Sequence, residues 1–299
     1  MKNMKLLLRV CTLLFTVVVF GQQDTQYTQY MYNMNVLNPA YAGSKGVTSI
    51  GLLGRTQWVG IEGAPQTLTL SLHSPIANQV GLGFSIIHDE IGPVKEDNVY
   101  ADFSYTVNTS LEGRLAFGLK AGVTFLGVRE LTTVDPDPLN EPINIATPNF
   151  GAGIFYYTQK FYMGLSVPNF LETHHLEKDM QSSSASEKAH FFLTSGYVFE
   201  INDNLKLKPS AMIKATSGAP LSVDLSANIL IHDKFEFGLS HRLDDSISAM
   251  VGVSINENFR MGYAYDKTVS NLEKFNTGSH ELLLLFDFNR RNIKSPRFF

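Results

Sequence analysis

The chain has 299 residues, with 24 lysines and arginines against 28 aspartates and glutamates and a net charge of −4, so no basic patch marks it for nucleic acid. Its single cysteine, Cys11, provides no disulfide framework to staple a small core. The mean hydropathy is −0.03 and the only long apolar run lies at the start, which excludes a helical membrane protein.

In that opening run, Lys2, Lys5 and Arg9 precede or interrupt the apolar residues from Leu6 to Phe20, the layout of a cleaved secretory signal peptide over residues 1–21. Val19 and Gly21 are small enough for the −3 and −1 positions of a signal peptidase site, which sets the mature start near Gln22. A membrane anchor is the competing reading. The run is shorter than the roughly 20 residues needed to span, and it contains Arg9. Arg9 before Cys11 does not resemble a lipoprotein cleavage box. Without Lys2, Lys5 and Arg9, 21 basic residues face 28 acidic ones, a mature charge of −7 with no cysteine.

Residues 22–46 follow as a separate unit, read as an ordered lumen plug or a periplasmic docking segment, because Tyr27, Tyr30 and Tyr41 need something to pack against. Asn38 before Pro39 favours an extended entry into a turn, and Gly43 allows a positive φ.

From Val47 onward the dominant signal is alternation with period two, broken by Asn, Asp, Gly and Pro clusters. Between Arg114 and Leu126, for example, Leu115, Phe117, Leu119, Ala121, Val123 and Phe125 share one face, and Ala116, Gly118, Lys120, Gly122 and Thr124 the other. About fourteen such strands can be marked: 47–58, 65–75, 80–90, 96–108, 113–126, 147–158, 160–169, 188–201, 204–217, 219–231, 234–242, 245–256, 258–268 and 278–290. Their lengths suit tilted strands that cross a bilayer in roughly 9–11 residues. After every second strand the connection is tight, as at His232 and Asp233, whereas several others are long, notably 127–146, 171–187 and 269–277. An even strand count with short turns on one side and long loops on the other is the arrangement of outer-membrane barrels, with both termini and the tight turns in the periplasm. The expected fold is therefore all-β: a closed antiparallel transmembrane β-barrel over 47–290, with a tail at 291–299. Pro209 cannot donate to a ladder, so a bulge is expected there.

Lipid requires every backbone N–H and C=O to find an internal partner, which a closed barrel supplies. The proposed outer face bears almost no charge, while Lys120, Asp224, Glu236, Arg260, Asp266 and Asp287 fall on the other, giving a polar lumen rather than a dry core. Glycines such as Gly81, Gly83, Gly151 and Gly153 read as close-packing lumen positions. Trp58, Tyr100, Tyr105, Tyr157, Tyr197 and Tyr263 read as interfacial aromatic belts.

No catalytic constellation has the required spacing: there is no Gly-x-Ser-x-Gly elbow, no His-Glu-x-x-His, no Cys-x-x-Cys and no phosphate loop, and no cofactor is implied. The acidic loop from Asp135 to Pro142 has carboxylates that could ligate calcium, and a solvated loop is the plainer reading. The same holds for His174 and His175 as metal ligands. His73 with Ser71 could serve a barrel esterase, yet alternation alone produces that pair.

The most specific stretch precedes and includes the first strands: Gln26-Tyr27-Thr28-Gln29-Tyr30-Met31-Tyr32-Asn33, then Leu37-Asn38-Pro39-Ala40-Tyr41-Ala42-Gly43, Arg55-Thr56-Gln57-Trp58-Val59-Gly60, Gly63-Ala64-Pro65-Gln66-Thr67 and Ser71-Leu72-His73-Ser74-Pro75. Together these resemble the PorP/SprF family of outer-membrane proteins associated with the type IX secretion system. The resemblance implies a role in secretion or surface attachment of large proteins, gliding adhesins among them, that carry a C-terminal secretion domain. It implies contacts with outer-membrane lipids and with a peptidoglycan-binding periplasmic lipoprotein, and it carries over no catalytic or metal residue. Gln29, Tyr30, Asn33, Asn38, Pro39, Tyr41, Gly43, Arg55, Gln57, Trp58, Gly63 and Pro65 are the candidate partner-binding or structural motif. A passive porin or small-solute transporter is the second reading and an outer-membrane enzyme the third.

Overall fold

The computed structural model describes residues 26–129, 142–170 and 189–288. The expected leader at 1–21, the acidic loop from Asp135 to Glu141, His174 and His175, and the expected tail at 291–299 lie outside the described residues.

Fifteen strands are present among the described residues: β1 (Ser49–Thr56), β2 (Gln66–Ala77), β3 (Val80–Ile91), β4 (Val94–Asn108), β5 (Arg114–Val128), β6 (Ile143–Tyr157), β7 (Phe161–Val167), β8 (His190–Tyr197), β9 (Phe199–Asn202), β10 (Leu205–Thr216), β11 (Ser222–Ile231), β12 (Phe235–Arg242), β13 (Ser246–Ser254), β14 (Phe259–Thr268) and β15 (Ser279–Asp287). All pairings are antiparallel, and β1 pairs with both β2 and β15, in register from Ser49 opposite Asp287 to Thr56 opposite His280. β8 and β9 both pair with β10 and form one stave interrupted at Val198, so fourteen staves close the barrel, as alternation predicts.

Closure explains how these strands live in lipid, since a barrel has no free edge to leave unpaired. The burial strings alternate residue by residue, and the outward side is apolar: Leu68, Leu70 and Leu72 on β2, Phe117 and Leu119 on β5, Phe235, Phe237 and Leu239 on β12 are all exposed. The expected inner charges Lys120, Asp224, Glu236, Arg260, Asp266 and Asp287 are all buried. β4, β5 and β6 have fifteen residues each, roughly 50 Å at strand rise. That exceeds the roughly 9–11 residues a tilted strand needs to cross the hydrocarbon core, and the outward pairs His88–Asp97 (2.6 Å) and Glu90–Lys95 (3.2 Å) lie near the ends of β3 and β4 at the loop side. The His232–Asp233 turn has φ +53° at both residues, the left-handed pair that a two-residue hairpin of primed type requires.

Three expectations need correction. Pro209 causes no bulge: it stays in register opposite Ala227 of β11, and the ladder toward the other neighbour lapses beside it, at Val198, where Pro209 has no N–H to give. The register shift falls at Leu205 and Lys206 instead. Tyr100 and Tyr157 are not belt residues, because both are buried on the inner face, whereas Tyr105, Tyr197 and Tyr263 do face outward. Tyr100 turns inward over Gly122, its cross-strand partner, where a Cβ would meet the tyrosine ring carbon at 2.4 Å. The lumen is also drier than expected, since Leu53, Ile87, Phe155, Phe192, Met212 and Leu283 join the inward charges.

The outward face predicts its own sensitivity. Leu119→Arg, mid-strand on β5, is expected to cost about 2–4 kcal/mol in urea unfolding from lipid vesicles, while Leu111→Arg in the fully exposed β4–β5 turn changes little. Equal effects at the two positions would refute the lipid-facing assignment.

Candidate functional site

What fills the lumen is the segment that precedes β1. Residues 26–46 form three short turns of helix, Tyr30–Tyr32, Met34–Leu37 and Pro39–Tyr41, and almost every side chain in them is buried. The last turn starts at Asn38, whose Oδ1 accepts from the Ala40 N–H at 2.9 Å with Pro39 at the first helical position. Tyr27, Tyr30, Met31, Met34, Val36, Leu37 and Tyr41 pack with Leu53, Ile87, Phe155 and Leu283 of the wall into one apolar core. Tyr41 sits edge-on to both His73 and Phe155, with ring centroids 5.3 Å away in each case.

Polar contacts tie this segment to the wall on every side. Arg55 Nη1 lies 2.7 Å from Asp266 Oδ2 and 3.1 Å from Glu281 Oε2, all three side chains being at most 3% exposed. Thr28 enters the same cluster: its hydroxyl donates to Asp266, and its N–H donates to Glu281 Oε2 at 2.9 Å. The Gln29 N–H takes the other oxygen of Glu281 at 2.8 Å. One buried carboxylate thus accepts two consecutive backbone N–H groups, and one guanidinium offsets it and its neighbour.

Three further anchors repeat the scheme. Asn35 donates to Asp102 at 3.2 Å, and Asp102 pairs with Lys120 at 2.9 Å. The Tyr32 hydroxyl donates to Glu236, which also accepts from Asn228 at 2.6 Å, with Arg260 at 3.8 Å. Lys45 pairs with Asp287 at 2.8 Å. Wall hydroxyls satisfy backbone carbonyls: Ser104 donates to Ala42 O at 2.6 Å and Ser166 to Leu37 O at 2.7 Å. The segment approaches so closely that a Cβ on Gly118 would stand 2.1 Å from the Ala40 nitrogen. Between Gln29, Tyr32, Glu236 and Arg260 remains a cavity of about 10 Å³, room for one water.

A family model for type IX secretion system membrane proteins, PorP/SprF, matches residues 19–286. The chain belongs to the PorP/SprF family. Among solved structures it is similar to the Acinetobacter baumannii outer membrane protein Omp33, at 9% identity and a TM-score of 0.50, over 81% of this chain and 98% of that one. The Ralstonia pickettii toluene transporter TbuX is similar at 11% identity and a TM-score of 0.51, over 85% and 92%. At such identities the likeness is one of fold. No curated protein matches in sequence. A closed barrel with an apolar exterior, in a family of membrane proteins, is a protein of the outer membrane.

In this PorP/SprF chain the candidate motif divides into two groups. Gln29, Tyr30, Asn33, Asn38, Pro39 and Tyr41 belong to the lumen segment; Gly43, at φ +72°, starts its turn back into β1, and Arg55 is its wall partner. Gln57, Trp58, Gly63 and Pro65 lie apart, in the β1–β2 loop. There Gln57 N–H donates to Pro65 O at 2.9 Å, Trp58 N–H to Ser279 Oγ at 3.1 Å, and Gly92 N–H to Gly63 O at 2.9 Å. Trp58 holds φ +44°, a backbone that costs a residue with a Cβ about 1–3 kcal/mol and persists through these contacts. Thr28, Asn35, Asp102, Glu236, Asp266 and Glu281 complete the site without belonging to the predicted set. Inward alternation marks the wall acids as lumen charges; nothing local pairs Thr28 with a residue 253 positions away.

His73, the candidate esterase base, accepts at Nδ1 from the Gly43 N–H at 3.3 Å and packs on Tyr41, contacts that hold the segment. Among the described residues no three His, Cys, Asp or Glu side chains group as a metal site.

Arg55→Met leaves Asp266 and Glu281 buried without their cation. It is expected to cost about 3–5 kcal/mol in vesicle unfolding and to expose residues 26–46 to protease. Adding Asp266→Asn and Glu281→Gln, which removes the unpaired charge and leaves each side chain one acceptor oxygen in place of two, is expected to recover part of the loss. Protection unchanged in Arg55→Met would contradict the anchoring role.

Proposed function

We propose that this protein is a filled outer-membrane barrel that assists the secretion or cell-surface attachment of large type IX clients, offering its two ends to partners rather than a hole to solutes. Family membership gives the pathway, and the observation that carries the rest is the lumen occupied by residues 26–46. A passive pore needs a continuous open path, and here the axis holds Tyr30, Met34 and Tyr41 packed against the wall. The long-loop end is the reading for the surface partner, a protein with a C-terminal secretion domain such as a gliding adhesin. The tight-turn end is the reading for a peptidoglycan-binding periplasmic lipoprotein. No step of the proposed role needs bond chemistry.

The alternative is a passive porin or small-solute transporter, as TbuX is a transporter of toluene. Planar-bilayer recording of the purified barrel separates the two. Wild type is expected to show no steady open state, while Gly118→Leu, whose side chain displaces Ala40, is expected to conduct. A steady wild-type conductance would favour the porin and remove the docking reading. Deleting the gene should also strip the client from the surface without changing small-solute uptake.

A further inference from the structure

The direction in which residues 26–46 run through the barrel carries a consequence for its amino-terminal end. β1 starts at the tight-turn end, the end that holds the Asn78–Gln79, Asp203–Asn204 and His232–Asp233 turns, and finishes at the loop-bearing end. Three parts of the wall give the sense of the segment independently. On β1 and β15, Thr28 meets Arg55 and Glu281, near the loop end of both strands, whereas Lys45 meets Ser49 and Asp287, the residues at their opposite ends. On β2, which runs from the loop end to the tight turn, Tyr27 meets Thr69 and Gly43 meets His73. On β4, with the same sense, Asn35 meets Asp102 and Ala42 meets Ser104.

All three give one order: the earlier residue lies nearer the loops. Arg55 and Ser49 stand six residue steps apart on β1, about 20 Å of wall. The segment therefore descends from the loop end, turns at Gly43 and Gly46, with φ +72° and +79°, and re-ascends as β1. The wall acids hold it in that sense, because Glu281 takes the N–H groups of Thr28 and Gln29 at the top while Asp287 takes Lys45 at the bottom.

We infer that the chain is threaded through its own barrel, so that the segment enters at Gln26 from the loop-bearing mouth, in the same compartment as the β1–β2 loop and on the opposite side from the tight turns. Gln26 then stands at the same mouth as the β1–β2 loop. A barrel whose first strand begins at the tight-turn side would by default leave its amino terminus there; the anchors reverse this. The inference stands apart from the secretion reading, since the threading can hold whatever the barrel serves.

The test uses the full chain in intact and in permeabilised cells. One epitope is inserted directly before Gln26, and reference epitopes are placed between Ile61 and Glu62 in the β1–β2 loop and between Asp203 and Asn204 in a tight turn. The expected result is that the epitope before Gln26 is reached under the same conditions as the one at Ile61 and under the opposite conditions to the one at Asp203. Reaction together with the Asp203 epitope overturns the threading. Since an insertion could disturb folding, Gln26→Cys gives a second readout with a membrane-impermeant maleimide, because the described residues contain no cysteine. Labelling from the side of the loops supports the threading, and labelling only from the side of the tight turns overturns it.

Discussion

The buried cluster of Arg55, Asp266, Glu281 and Thr28 is the constraint from which the rest of this molecule follows. It joins β1, β14 and β15, the strands on either side of the closure, to the segment that precedes β1. A carboxylate at 0% side-chain exposure is tolerable only with a cation and hydrogen-bond donors around it. Glu281 obtains both, the guanidinium from the wall and two backbone N–H groups from the segment. Neither the seam nor the segment is satisfied alone. The segment is therefore as much a part of the barrel wall's electrostatics as any strand.

Two solvents shape the strands. Hydrocarbon outside demands an uncharged face and a ladder without edges, and the alternation of Leu, Phe and Ile at every second position meets the first demand while the β1–β15 register meets the second. Inside, the demand is local. The polar groups Asp102, Glu236 and Asp287 each find a partner from the segment, and the spaces between them are closed by Tyr30, Met34 and Tyr41. A barrel of fourteen staves is wide enough to leave an open channel unless something occupies it. The occupant here is covalently attached beside Gly46, so its effective concentration is high and its loss of freedom on docking is smaller than that of a separate peptide.

Period two was enough to read the strands, their faces and nearly all their ends, because each residue meets one of two environments and the sequence records which. It could not read what the inner environment contained. Tyr100 and Tyr157 illustrate the limit: an aromatic suits a lipid interface and a packed lumen equally well, and only the space above Gly122 decides for Tyr100. Pro209 illustrates another, since a missing N–H can be absorbed by a gap in the neighbouring stave as well as by a bulge. Gln29, Asn38, Tyr41 and Arg55 were recognisable as a motif, but not as two halves of one contact surface. The pairing of Arg55 with Asp266 and Glu281 spans more than two hundred residues, a distance over which only the closed register brings side chains together.

A filled barrel also bears on which properties selection could act on. In an open pore the lumen charges set conductance and selectivity, and the loops modulate entry. When the lumen is packed, those charges are spent on internal anchors, and the surfaces left for other molecules are the two ends. At the loop end, the β1–β2 loop is braced against the β14–β15 loop through Val59 and Gly278 at 2.9 Å and through Trp58 and Ser279, just above the Arg55 cluster. Any force on that loop reaches the anchors of the segment within a few residues, from Trp58 to Arg55 along the chain and from Ser279 to Glu281 on β15. The loop at the mouth is thereby joined to the seam of the barrel through the same residues that hold the lumen segment.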